Sequence, residues 1–501
     1  MKRMLELDLR SLAAFRIALG SLLFYDLFWR MSDVTFFYSD HGTLPRSLVT
    51  EHYWNDVWWC LHLYSGTTIG VGVLFFLHAV AALCLMTGFH TRWAGLACYL
   101  ATLSLHNRNP LVLDSSDRLL VILLFWGLFI PWGARWSLDS RRKTSGYYPS
   151  SNRFYSVGTT GYLLQVVQLY LVAGYWKLHP VWLTEMSGLY RTLMIGEFSS
   201  RTGLFLLQYP GLMQALTVST VIIEILAPLL LLTGKDSLRL LALAALTSLH
   251  LGIYLTMDLE FFPLVSLVTL VGLLPSKFWE ILGMRTESAD SRGESCPGVR
   301  WCHGRTTTVL AVTATVATMA WNLMVISLDQ QNVRAMPKQL LPFTQTMGAL
   351  RLVQMWNLFS PVPRSGTSWY VVEAYLADGS RVDLWREGNP VDFAPRAVLS
   401  EEYPSHRHRT FLYHLAYNGH QSLRQQYLRV LAESWNSSHS EQKKVQWVRL
   451  VTIDRPTELD YRDSVPRVRQ TGILWFQEAD WTGPPPPLPG LNEGFHNVDL
   501  L

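Results

Sequence analysis

Residues 306–326, TTTVLAVTATVATMAWNLMVI, divide this chain into two unlike parts. The run carries no charge, and as a helix it is long enough for a bilayer core, which needs about 20 mostly apolar residues. Up to residue 326, only 44 of 326 residues are charged, about 13%. Beyond it the count is 36 of 175, about 21%, close to the roughly 25% of soluble proteins. The modest mean hydropathy of +0.15 is therefore an average over a membrane part and an ordinary polar part. The 20 Trp, 21 Tyr and 22 Phe supply the aromatic belts that sit at bilayer surfaces. A net charge of only +4 argues against a nucleic-acid partner, and five Cys exclude a disulfide scaffold.

Working back from this run, apolar segments predict nine spans, at about 11–29, 67–88, 93–106, 119–132, 158–177, 212–232, 240–255, 261–274 and 306–326. The third, fourth and eighth are short. Arg16 interrupts the first, so it is not a cleaved signal peptide. With the N-terminus inside, sixteen basic residues fall in inner segments and six in outer loops. The chain is thus expected in the inner (plasma) membrane, multi-pass, with a cytoplasmic N-terminus and an extracytoplasmic C-terminal domain. The expected fold is an all-α polytopic membrane domain over 1–326, a small α+β domain over 327–480 and a Pro-rich tail over 481–501. In the second domain, strands are expected at 368–376, 381–385, 445–453 and 473–476, with a turn at Asp378-Gly379 and helices near 406–416 and 421–435. The PPPP at 484–487 reads as extended polyproline.

Ionisable groups are costly within a bilayer, so each is a functional candidate. They are Arg16, Asp26, Lys177, Glu224 and His250, with His106, Asp114, Asp117, His179, Asp258 and Glu260 near span ends. Lys177 closes the fifth span within 170–182 (YLVAGYWKLHPVW). Tyr170, Gly174 and Lys177 share one helix face, and Gly174 admits a close neighbour. A lysine shielded from water can serve as a neutral base or nucleophile. It can equally snorkel to the interface beside Trp176 and Trp182. Arg16 and Glu224 read as partners of other buried polar groups. The polar segment 105–117 (LHNRNPLVLDSSD) either lines a pocket or caps two helices, with Asp114 or Ser115 as N-cap. His250 with Asp258 and Glu260 could hold a metal, but no ligand spacing supports one, and none is expected. Cys296 and Cys302, beside His303, lack a second ligand pair and read as reduced surface thiols, and 406–409 (HRHR) as a solvated helix start.

Several of these segments together resemble a known family. Residues 8–20 (DLRSLAAFRIALG), 104–110 (SLHNRNP) and 130–139 (IPWGARWSLD) resemble the horizontally transferred transmembrane domain family, the bacterial side of the vitamin K-dependent gamma-carboxylase superfamily. Residues 173–182 (AGYWKLHPVW) look like the carboxylase pattern Ala-Gly-x-x-Lys-Leu-x-x-x-Trp. Residues 352–363 (LVQMWNLFSPVP), 369–372 and 378–380 resemble the domain appended to many bacterial members, so the likeness runs from about 8 to 455. It implies an extracytoplasmic active site with Lys177 as catalytic base, and with His106 and Asp117 as further catalytic candidates at its mouth. Tyr170, Gly174 and Trp182 are the candidates for holding the cofactor, reduced vitamin K or menaquinone. The implied partners are membrane lipid and a secreted peptide or protein substrate. The implied reaction is quinol-linked carboxylation, or a related oxidation, of a peptide or lipid. Two departures stand out. Ser115-Ser116-Asp117 occupies the place of the family's functional His, and the large lumenal region of the animal enzymes is missing. The alternative is a non-catalytic membrane factor for maturation, export or immunity of a secreted peptide. A transporter is a third class, but no inverted repeat supports it.

Overall fold

The computed structural model describes residues 2–53, 59–141, 152–284, 302–332, 338–417, 419–456, 467–475 and 488. Nine helices stand where the nine apolar runs were expected: α1 (Leu9–Ser32), α2 (Thr68–Thr87), α3 (Thr91–Arg108), α4 (Ser115–Gly127), α5 (Val157–Trp176), α6 (Pro210–Leu231), α7 (Asp236–Thr256), α8 (Phe261–Val271) and α9 (Arg305–Asn332). Six of them, α1, α2, α5, α6, α7 and α9, are long and apolar enough to cross a membrane. This is a helical membrane protein with a small sheet-containing C-terminal region.

Local chemistry sets the helix ends. Asp114 caps α4 in a reciprocal box with Asp117, and Ser156 caps α5 in the same way with Thr159. Pro210 opens α6, where its missing N–H costs nothing. Gly88, at φ +71°, ends α2 in the left-handed conformation that glycine adopts without strain. The short α4 is buried from Ser116 to Gly127 apart from half-buried Arg118, so it is enclosed by its neighbours. About 72% of the apolar window of α5 is buried, against 28% for α2, α7 and α9 and 33% for α6. The latter four turn apolar side chains such as Phe76, Leu226, Leu251 and Val316 outward. A helix with an exposed apolar face is matched to lipid.

The C-terminal region forms an antiparallel sheet of β1 (Thr367–Leu376), β2 (Arg381–Asp383), β3 (Asn389–Pro390), β4 (Val445–Arg455) and β5 (Arg467–Trp475), in the order β3-β2-β1-β4-β5. The Asp378-Gly379 turn lies between β1 and β2, with Gly379 at φ +85°. Helices α10 (His406–Tyr417) and α11 (Gln421–Ser438) complete it. Side chains alternate along β1. Trp369 and Val371 join a small cluster with Leu399 and Val451, whereas Tyr370, Val372 and Ala374 join a core that runs on into the helical part. The last strand starts earlier than expected, at Arg467. The PPPP at 484–487 and Cys296 lie outside the described residues.

Two sequence expectations are corrected. The HRHR at 406–409 is buried: His406, Arg407, His408 and Arg409 are each under a tenth exposed. Part of their polar surface is met across the joint with the helical part. The His406 backbone N–H and ring Nδ1 face Glu260 at 2.6 and 2.7 Å, and Arg407 pairs with Asp26. His408 packs against Phe36 and Phe37. Cys302 is likewise buried, so it is no surface thiol.

Candidate active site

Lys177 is the C-cap residue of α5, its N–H donating to the Gly174 carbonyl at 3.0 Å. Its ammonium reaches sideways to α6, where Nζ lies 3.0 and 2.8 Å from the two carboxylate oxygens of Glu224. Both side chains are buried. Gly174 makes this approach possible. A Cβ there would stand 2.9 Å from Ile225 Cγ1 and 3.3 Å from Glu224 Cβ, so any larger residue would push α6 away. Lys177 also sits 5.3 Å from the ring centroid of Trp182, close enough for the aromatic face to favour the ammonium. Trp182 in turn donates from Nε1 to the Pro361 carbonyl at 3.0 Å, tying this corner to the C-terminal region.

The pair opens on a cavity of about 360 Å³. Its walls are largely apolar and aromatic: Leu249, Ile253 and Phe262 from α7 and α8, Phe198, Phe359, and Trp182. Its remaining rim comes from the start of α4 (Asp114, Ser115, Arg118), from Glu197, and from Tyr370, Tyr403, Arg409, Tyr413 and His414. The chamber is thus enclosed jointly by the helical part and the C-terminal region. Glu224 stands fourteen residues beyond Pro210, about 21 Å along α6 at 1.5 Å per residue, so the pair lies deep relative to the start of that helix.

Most polar groups of the rim are engaged. Glu197 pairs with Arg364 and accepts the Ser368 N–H at 3.3 Å. Arg409 donates to the Glu197 carbonyl at 3.0 Å, lies 3.8 Å from Asp258, and covers the Phe198 ring. Burial pushes the Asp258 carboxyl above its ordinary range despite Arg409. Burial also lowers the basicity of His414, favouring the neutral ring. Asp114 Oδ1 accepts the N–H groups of Ser116 and Asp117 at 2.7 and 3.3 Å.

His106 and Asp117 come together elsewhere. His106 Nε2 lies 3.3 Å from Asp117 Oδ1, and neither side chain lines the cavity. Asp117 pairs with Arg30, which also holds Asp26 at 2.8 Å and donates to Tyr38 at 2.7 Å; Asp26 is the partner of Arg407. This is a buried chain of alternating charge beside the site, joined to it through the first turn of α4. Tyr170 also points away, its hydroxyl 2.8 Å from His250 Nε2. Of the sequence candidates, the cavity thus gathers Lys177, Trp182, Glu224 and, from the polar segment 105–117, Asp114 and Ser115. Gly174 shapes it through α6.

Arg118, Glu197 and Arg409 were not among the candidates. Glu224 was, as a helix-pairing group, and a lone acid on an apolar helix was its signal. Among the described residues, no group of three or more His, Cys, Asp or Glu is placed to hold a metal. His250 is turned to Tyr170, while Asp258 and Glu260 face Arg409 and His406. Comparison of the chain with protein-family models, curated proteins and solved structures finds no match.

Proposed function

We propose that this chain is a gamma-carboxylase-like membrane enzyme in which Lys177 and Glu224 take up a proton from a guest in the cavity. It would cross the plasma membrane nine times, N-terminus inside, with the cavity and the C-terminal region on the extracytoplasmic side. The observation that carries the reading is the buried Lys177–Glu224 pair facing an apolar chamber. Isolated buried charges are costly, and a pair that opens on a cavity is a frequent sign of a working site.

The cavity volume falls within the roughly 300–1,000 Å³ of small-molecule sites, and its walls suit a flat apolar ring such as a quinol. Trp182, Phe359 and Phe262 would hold such a ring, with its polar edge toward Lys177. A reduced quinone bound there would supply, with oxygen, a base strong enough to remove a carbon-bound proton. The chain's own part is to handle the hydroxyl proton. Within the pair, a proton can pass from Nζ to a Glu224 oxygen, leaving a neutral amine beside a neutral acid. That amine can accept a proton from the guest, and the Trp182 face favours the ammonium that results. The apolar walls exclude water, which keeps these charges effective.

The test is incubation of purified protein with reduced menaquinone or vitamin K and oxygen, following epoxide formation. Native protein should form epoxide; Lys177→Ala and Glu224→Gln should each lose at least tenfold in rate, in line with removal of an acid–base group. No epoxide from native protein with either quinol would end the quinol reading. Full cellular function in Lys177→Ala would favour the non-catalytic membrane factor instead.

A further inference from the structure

Arg118 is the cation of the cavity rim whose guanidinium the chain itself leaves without a hydrogen bond or ion pair among the described residues. Asp114, one helical turn earlier, is the acid that acts on it through space, but Oδ1 of Asp114 is taken up by the cap of α4. The other rim acids are engaged as well, Glu224 by Lys177 and Glu197 by Arg364. A guanidinium presents five donors in a planar fork suited to carboxylate or phosphate, and withdrawing it from water without an acceptor is costly. The first turn of α4 adds the positive end of a 13-residue helix to the same rim.

The walls of the chamber are largely apolar, and one side of it is formed by α6 and α7. These two helices contribute Thr220, Leu249 and Ile253 to the lining while turning Leu226, Leu251 and Leu255 outward. The chamber is therefore one helix layer away from the surface matched to lipid.

We infer that the cavity binds a lipid-derived amphiphile whose oxyanion headgroup, carboxylate or phosphate, is held by Arg118 while its apolar chain lies along the α6–α7 wall. The inference rests on the cavity being a ligand site, as in the proposed function, but needs no turnover. It gives the chamber two ends with different tasks: proton uptake at Lys177–Glu224, and anchoring of an anion at Arg118.

The experiment is binding of dodecanoate, dodecyl phosphate and dodecanol to the full chain in a non-ionic detergent, read by native mass spectrometry. The three probes share one tail and differ in the headgroup. Native protein should bind at least one of the anions tenfold or more tighter than dodecanol, the size of a charge-assisted hydrogen-bond contribution. The better of the two anions identifies the source, fatty acid or phospholipid. Arg118→Gln should bring that anion to the level of dodecanol, while Arg118→Lys should keep part of the preference. Equal binding of all three probes by native protein would overturn the inference, even if Arg118→Gln failed to fold. So would a folded Arg118→Gln that kept the preference. Absence of epoxide formation would leave the binding result standing, so the two proposals fail separately.

Discussion

Removing Arg407 tests how firmly the C-terminal region is locked to the helical part. Arg407 enters from α10 and meets Asp26 of α1, which is also held by Arg30 at 2.8 Å; Arg30 continues to Asp117. The four groups are buried and their charges balance, two positive and two negative. Arg407→Met leaves two carboxylates sharing one guanidinium. Breaking a buried pair by deleting one partner costs about 3–5 kcal/mol. Arg30 remains as counter-ion, so the lower end, about 3 kcal/mol, is expected. Asp26→Asn should cost a similar amount by leaving Arg407 unpaired. The double variant removes one charge of each sign and keeps Arg30–Asp117 intact. It should therefore lie about 2 kcal/mol above the sum of the singles, within the range of measured couplings between neighbours. Intrinsic fluorescence during heating in detergent is a direct readout, given 20 Trp. Extending the size trend of melting temperatures to a chain this long gives about 1–2 °C per kcal/mol, hence a fall of about 3–6 °C for Arg407→Met. An Arg407→Met midpoint within 1 °C of the parent, or strictly additive singles, would refute the idea of a working ion chain at this joint.

Acid should loosen the same joint: burial, then the nearby Arg407, lower His408 from the ordinary 6.5 to about 4, so the unfolded chain binds the extra proton between those pH values. Stability contributed by neutral His408 is then complete above pH 6.5 and falls away toward pH 4, by about 3 kcal/mol at 1.36 kcal/mol per unit; melting curves of His408→Gln should fall less steeply with acid than those of native protein, and parallel slopes would contradict this. Gly174→Leu should drive α6 off α5 and cost about 1–3 kcal/mol through overpacking, with loss of the Lys177–Glu224 contact, seen as a lowered melting midpoint. Arg449→Met should leave buried Glu373 to the half-exposed Arg381 and destabilise the sheet by about 3 kcal/mol, measured as faster hydrogen exchange in β1 and β4, whereas unchanged exchange would count against it.

The helices were readable because lipid exposure and length act locally: a run such as 306–326 declares itself without knowledge of its neighbours. The C-terminal strands were readable for a similar reason, since β-branched and aromatic residues alternate around the Asp378-Gly379 turn. What could not be read was partnership. Nothing near Arg407 announces that its acid lies at Asp26, and four His and Arg in a row at the head of a helix read as a solvated surface until the fold supplies Phe36, Phe37 and Glu260. His106 and Asp117 lie together, away from the cavity lining. Asp117 is bound by Arg30 and faced by His106, while the neighbouring Arg118 lies on the cavity wall. One helix turn at the start of α4 thus divides its polar residues between two jobs: Asp117 points into the ion chain that fastens the C-terminal region, and Arg118 faces the chamber which that region closes. Loss of Arg407 should then reach Arg118 through Asp26, Arg30 and Asp117, so the anion binding proposed at the rim is expected to weaken when the docking of the C-terminal region is loosened.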